Sequence, residues 1–298
     1  MKIIFSENYT VDIDHKFRGA KFEETFRLLV KKRVIKADEA LEPEMPEERD
    51  LLLAHTGKWV NKLLDMELSA EDAARSEMPV NKDVIFAHLL HTGGTIKAAN
   101  LALETGLGIH CGGGAHHAHR DYGAGFCLIN DIAVAVRKLL NEKKISRPLV
   151  ADLDVHQGDG TAEIFRGEKN VFTFSMHQAG IYPEKKEKSS LDLELPAGTG
   201  GAEYLRLLKE NLPGILEAFK PDFIIYNAGA DVYKGDMLGG LKLGFGDIIA
   251  RDRLVFELAK AKKIPLALVL SGGYAEKPAD TVKIHFNTIR TAIETYKR

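Results

Sequence analysis

The sequence predicts an α/β domain built on a mostly parallel sheet that is buried on both faces. Three observations carry that expectation. Short runs rich in Val, Ile and Leu recur along the chain, each bounded by Gly, Pro or polar residues, as strands covered on both sides require. Between them, apolar residues return at spacings of three and four, the mark of one helix face. The two patterns alternate, which is the order that parallel strands with helical crossovers demand. A chain of 298 residues suits one large domain. No linker, internal repeat or low-complexity segment divides residues 1–298.

Taken in order, Phe22, Phe26, Leu29 and Val30 predict the first helix. The polar, acidic stretch Leu68–Asp83 predicts a solvated loop. Leu107–Cys111, Leu149–Val155 and Val171–Met176 predict three strands. The run Glu184–Lys188 is charged but self-neutralising and predicts a solvated face. Leu205, Leu208, Leu212, Ile215, Leu216 and Phe219 line one helix face, and Pro213 within it predicts a kink or a break. Phe223–Ala228 predicts a strand, Ile248, Ile249, Val255, Leu258 and Ala259 a helix, and Ile264–Leu270 the last strand.

Composition narrows the function. Lys and Arg number 41 against 43 Asp and Glu, a net charge of −2. That balance offers no general attraction for nucleic acid or anionic lipid. Two cysteines, Cys111 and Cys127, cannot build a disulfide framework and suggest a reducing compartment. The run Ile264–Leu270 falls far short of the ~20 apolar residues that span a bilayer. The apolar run near Met1 is too short for a signal-peptide core. The expectation is a cytoplasmic protein that binds neither nucleic acid nor membrane.

Ligands of such sheets bind beyond the carboxyl ends of the strands, and there the residues are unusual. Asp152, Asp154 and His156 alternate with apolar residues, so an extended chain points all three one way. Buried unpaired carboxylates cost several kcal/mol each unless a cation joins them, and the pattern predicts a metal site. Gly112–Gly114 precede His116 and His117; an aspartate bonded to Nδ1 of either imidazole would leave Nε2 as an acid–base group. Asp152 and Asp159 are available for that task. Asp231 lies just beyond the predicted strand Phe223–Ala228 and is a candidate third ligand, although a helix cap or turn is a common role for such an aspartate. Tyr274 stands behind Gly272 and Gly273 and could donate to an oxyanion.

The motifs GGGAHHAHRDYGAGFCLIND, DLDVHQGDG, SMH, NAGADVYKGDMLGGL and SGGY, with His55-Thr56 and Gly93-Gly94 ahead of them, occur in the order and spacing of the histone deacetylase family. The chain resembles these zinc-dependent acyl-lysine hydrolases over nearly its whole length. It is most similar to class IV and the compact prokaryotic members. The resemblance implies a three-layer α/β/α fold of the arginase–deacetylase type, with a parallel sheet of about eight strands. It implies that Asp154, His156 and Asp231 are the zinc ligands. His116 and His117 match the family's paired histidines, with Asp152 and Asp159 as carboxylate partners, and Tyr274 matches its carbonyl-polarising tyrosine. Phe126, Tyr182, Gly125 and Gly273 match the acyl-lysine tunnel; Tyr182 stands where class I members carry phenylalanine. A potassium ion is implied at Asp152, Asp154, His156, Ser175 and Met176.

Those roles fit the chemistry. Two carboxylates and one imidazole neutralise a divalent ion and leave positions open; the oxygen-rich set accepts Fe(II) as well as zinc. The resemblance assigns proton transfer to His117 and electrostatic support to His116, which nearby potassium would keep a poorer proton acceptor. The implied substrates are acylated lysines in peptides or proteins, or related acylated amines, carrying acetyl or longer groups. Two alternatives use the same residues. A ureohydrolase of this fold needs further carboxylates for a second metal ion, and the segment after Asp231 offers none before Asp236. A non-catalytic acyl-amine-binding module would have no need of Tyr274 and both histidines.

Overall fold

In a computed structural model, residues 2–11, 15–16 and 18–297 are described. Eight strands organise the described residues: β1 (Ile3–Ile4), β2 (Ala40–Leu41), β3 (Leu107–Ile109), β4 (Pro148–Asp152), β5 (Phe172–Gln178), β6 (Leu191–Leu195), β7 (Phe223–Asn227) and β8 (Leu266–Val269). Six of them form one sheet in the order β3-β8-β7-β4-β5-β6, and every pairing in it is parallel. The parallel pair β1-β2 joins its edge through a bridge between Ile4 and His110.

Alternate residues of the central strands feed two separate cores. Leu149, Ala151, Ile224, Tyr226, Leu266 and Leu268 pack with the helices Ala20–Lys31, Gly201–Phe219, Phe245–Ala261 and Pro278–Lys297. Val150, Phe223, Ile225, Ala267 and Val269 pack with Gly57–Leu64, Lys82–Thr105 and Asp131–Asn141 on the other side. The result is the expected three-layer α/β/α arrangement of the arginase–deacetylase type. No helix among the described residues is long and apolar enough to cross a membrane.

Three local expectations are corrected. β4 ends at Asp152, three residues before Val155. Asp152 Oδ1 accepts from the Asp154 amide at 3.2 Å, and Asp154 Oδ1 accepts from the His156 amide at 3.0 Å. These side-chain turns compete with the ladder and pull the chain out of the sheet. Pro213 neither breaks nor splits its helix, which runs unbroken over Gly201–Phe219; Leu208, Leu212, Ile215 and Leu216 are buried along it, and that packing outweighs one lost backbone bond. The stretch Leu68–Asp83 contains the helix Ala70–Ser76, started by a capping box between Ser69 and Asp72.

The strand order places the site. From β4 the chain moves outward to β5 and β6, then returns to β7 on the other side of β4. The loops after β4 and β7 therefore diverge, and the crevice between them is where ligands of such sheets bind.

Candidate active site

Asp154, His156 and Asp231 come together in that crevice. Their ligand atoms lie within 4.8 Å of one another, and all three residues are buried. His156 Nδ1 is 3.3 Å from Asp154 Oδ1 and 3.5 Å from Asp231 Oδ2. Asp231 Oδ1 accepts from the Val155 amide at 2.9 Å, whereas Asp231 Oδ2 is buried without a hydrogen-bond donor. Ser271 Oγ and the Gly272 amide hold Asp154 Oδ2 at 2.9 and 3.1 Å. A Cβ on Gly272 would collide with Asp231 Oδ2, and one on Gly229 with Asp154 Oδ2, so both glycines are needed for loops to approach so closely.

The electrostatics of the triad attract positive charge, whether from a protonated imidazole or from a metal ion. Burial and the neighbouring Asp154 charge push the Asp231 carboxyl up to about 7. Burial opposes charge on His156, yet the adjacent Asp154 and Asp231 carboxylates lift its imidazole to about 10. Two carboxylates in one dry pocket cannot both ionise without positive charge beside them. An oxygen, nitrogen, oxygen donor set with one orphaned oxygen fits zinc or Fe(II).

The alternation of Asp152, Asp154 and His156 does not act as one unit. Asp152 turns away to His116, whose Nδ1 lies 2.7 Å from Asp152 Oδ2. His117 Nδ1 lies 2.6 Å from Asp159 Oδ1. Each carboxylate thus occupies Nδ1 and leaves Nε2 as the free nitrogen. The two rings are 4.1 Å apart. Burial opposes protonation of His116, but Asp152 and then Asp154 raise it to about 9; burial and the charge of His116 lower His117 to about 4. From the side chains alone His116 is the stronger base, the reverse of the order expected beside potassium. Asp152 and Asp154 both face it, and a cation on either carboxylate weakens that pull.

The glycine loop beneath these histidines is held by a buried relay. Gly113 and Gly114 adopt φ of +73° and +95°, a region open to glycine. Asp131 accepts from the amides of Gly114 at 2.9 Å and Ala115 at 2.7 Å. The Thr95 hydroxyl donates to the same carboxylate. His110 Nδ1 lies 2.9 Å from that hydroxyl, and its Nε2 lies 2.8 Å from the Tyr9 hydroxyl.

Tyr274, Phe126, Gly125 and Tyr182 lie around the opening above the triad. Phe126 meets the Tyr274 ring edge-on at 5.8 Å, and Tyr182 meets His117 at 4.9 Å. Tyr274 is fixed by its amide, which donates to Asp236 Oδ2 at 2.6 Å. Gly273 sits behind the wall, where a Cβ would run into the Thr281 side chain and crowd Ala230. Of the residues matched to potassium, Asp152 and Ser175 face each other in register across β4 and β5, and Met176 follows on β5.

Several supporting residues escaped the sequence reading. Arg251, fully buried, donates from Nη1 to Leu153 O at 3.1 Å and Gly229 O at 2.8 Å, tying the loops that carry Asp154 and Asp231 together from behind. Lys21 donates to Ser271 O at 3.0 Å and lies 5.0 Å from the Tyr274 ring centre. Burial lowers its ammonium to about 8. The Asn130 side chain donates to Ala118 O at 3.1 Å. Arg251 and Lys21 sit within helical patterns, where nothing local distinguishes them from surface cations.

The comparisons agree with the geometry. The model of the "Histone deacetylase domain" family matches residues 15–289. An uncharacterized protein of Picosynechococcus is 38% identical over 296 residues, which cover 99% of each chain. "Histone deacetylase 2" of Arabidopsis thaliana is 34% identical over 296 residues, covering 95% of this chain and 76% of its own. The crystal structure of an HDAC homolog from Aquifex aeolicus superposes with a TM-score of 0.83 at 24% identity, over 100% of this chain and 84% of that one.

Proposed function

The chain belongs to the histone deacetylase domain family, whose members hydrolyse amides as deacetylases, and from that premise we propose that residues 1–298 form one catalytic domain that removes acetyl or longer acyl groups from lysine side chains or related amines in the cytoplasm. Asp154, His156 and Asp231 would hold one zinc or Fe(II) ion. When bound, that ion supplies Lewis acidity toward water and the acyl carbonyl. The chain's own groups do the rest. Nε2 of His117 accepts the proton of the attacking water, while Asp159 keeps Nδ1 protonated and the ring oriented. The same nitrogen then returns a proton to the departing amine, giving a carboxylate and a free amine. His116, backed by Asp152, supports the charge that develops. The Tyr274 hydroxyl donates to the oxyanion. Phe126, Gly125 and Tyr182 form the wall along which the acyl-lysine stem lies. Potassium at the carbonyls near Asp152, Asp154, His156, Ser175 and Met176 would stiffen the ligand loop.

The observation that carries this reading is the buried, donorless Oδ2 of Asp231 beside two imidazoles anchored through Nδ1. A ureohydrolase is disfavoured because it needs further carboxylates for a second ion, and among the described residues Asp154, His156 and Asp231 form the one group of three or more such side chains close enough to hold a metal. The test is turnover by zinc- or Fe(II)-loaded protein of acetyl-, butyryl- and long-chain acyl-lysine peptides and of acetylpolyamines. Amine release from at least one is expected. No release from any, with one ion bound per chain, would overturn the proposal.

A further inference from the structure

His119 shares Asp159 with His117. Its Nε2 lies 3.1 Å from Asp159 Oδ2, while His117 Nδ1 lies 2.6 Å from Asp159 Oδ1. Both oxygens of one buried carboxylate are therefore taken by two imidazoles. An aspartate carboxylate turns easily, because its terminal torsion has a broad, roughly two-fold profile. A donor on Oδ2 removes that freedom and aims Oδ1 at His117. It also satisfies an oxygen that would otherwise be a buried, unpaired part of a charge, which is costly.

His119 is itself held rigidly. Its amide donates to Tyr122 O at 3.0 Å. Its carbonyl accepts from His55 Nδ1 at 2.9 Å, a role consistent with His55 Nε2 accepting from the Asn130 amide at 3.0 Å. Its ring stacks on Tyr122 with centres 4.4 Å apart and planes 15° apart. On the outer side, Nδ1 faces Glu163 Oε2 at 3.8 Å, beyond hydrogen-bond distance. The ring nitrogen committed to a hydrogen bond is thus Nε2, as donor to Asp159.

We infer that His119 is a positioning residue of the hydrolytic site, a second imidazole whose Nε2–H locks the carboxylate that orients His117. The inference rests on the proposed role of His117 in proton transfer. It differs from a packing role in one respect: what matters is a donor at the Nε2 position and not the ring.

The test compares metal-loaded wild type with His119→Leu, His119→Gln and His119→Asn. The Gln amide reaches the place of Nε2, while the Asn amide falls short of it. His119→Leu should lose about 10–100-fold in kcat, the usual effect of losing an outer hydrogen-bond partner at a metal site, with KM and metal content unchanged. His119→Gln should recover most of that loss. The Nδ1 proton of His117, in its short bond to Asp159, should give a slowly exchanging downfield NMR resonance in wild type and His119→Gln that broadens in His119→Leu. Unchanged kcat in folded, metal-loaded His119→Leu, or a Gln variant as impaired as the Leu variant, would overturn the inference. Should His119→Leu not fold, the contrast between Gln and Asn decides: equal activities overturn it. A His117→Ala control separates the two levels. If that variant keeps full activity, the proposed role of His117 falls and this inference with it; if it is inactive while the His119 variants are unaffected, only this inference falls.

Discussion

Acid should weaken this chain through His110, and His110→Asn isolates the effect. The imidazole is fully buried and burial lowers it to about 3 from an ordinary 6.5. Both ring nitrogens are engaged. Thr95 donates its proton to Asp131, so its oxygen accepts from His110 Nδ1, and His110 Nε2 accepts from the Tyr9 hydroxyl. Protonating Nε2 would break the Tyr9 bond and place a charge in the core. The folded-state pKa is below the unfolded one, so the stability contributed is fully present above pH 6.5 and is lost as pH falls toward 3. Between pH 8 and pH 5 this single group costs about 2 kcal/mol, from RT ln(1 + 10^1.5). His110→Asn keeps a donor for Thr95, cannot titrate, and leaves Tyr9 unpaired, a cost of about 1–3 kcal/mol at every pH. Urea unfolding of both proteins at several pH values should give curves that lie apart at pH 8 and converge at pH 5. The other titrating groups are common to both and cancel. Parallel curves would refute the reasoning, because they would mean that His110 takes up no proton on unfolding.

Tyr274→Phe keeps the ring against Phe126 and removes only the hydroxyl, so folding should survive while kcat falls on the order of 10²–10³-fold, as for loss of one oxyanion donor; an unchanged kcat places Tyr274 outside the chemistry. His117→Ala should lose more activity than His116→Ala, with a loss on the order of 10²–10⁴-fold, and the opposite ranking in metal-loaded protein reverses the two roles. Arg251→Leu leaves the buried Asp252 with the Tyr226 and Thr288 hydroxyls but no cationic partner, and two loop carbonyls without donors. It should cost about 3–5 kcal/mol in denaturant unfolding, and wild-type stability would show that the guanidinium does not brace the ligand loops.

How far the sequence reveals this architecture depends on where the information sits. β4, β7 and β8 are buried on both faces and read as continuous apolar runs, so each was visible from its own residues. β6 lies at the sheet edge with Asp192 and Glu194 alternating between leucines, and β1 and β2 are two residues long; none has a run to detect. The helix Lys82–Thr105 hides differently. It is buried over most of its surface, including Gly93 and Gly94, so its apolar residues do not collect in one stripe. The site was legible because its motifs directly follow strands, where the sheet delivers them to one crevice. The supporting groups were not. Arg251 meets Leu153 across 98 positions, Lys21 meets Ser271 across 250, and Thr95 meets Asp131 across 36. No local pattern encodes such pairings; only the folded topology does. The same limit explains Asp152, whose alternation with Asp154 and His156 suggested one ligand face until side-chain turns sent it to His116.

The central claim is that Asp154, His156 and Asp231 hold the one ion on which amide hydrolysis depends. The most direct measurement is metal content per chain alongside turnover of an acyl-lysine peptide, in wild type and in Asp154→Ala. Wild type should bind one ion per chain and release amine, and the folded variant should retain little metal and almost no activity, since one of three protein ligands is gone. A variant with full metal content and near-normal turnover, or a wild type with two ions per chain, would contradict the account.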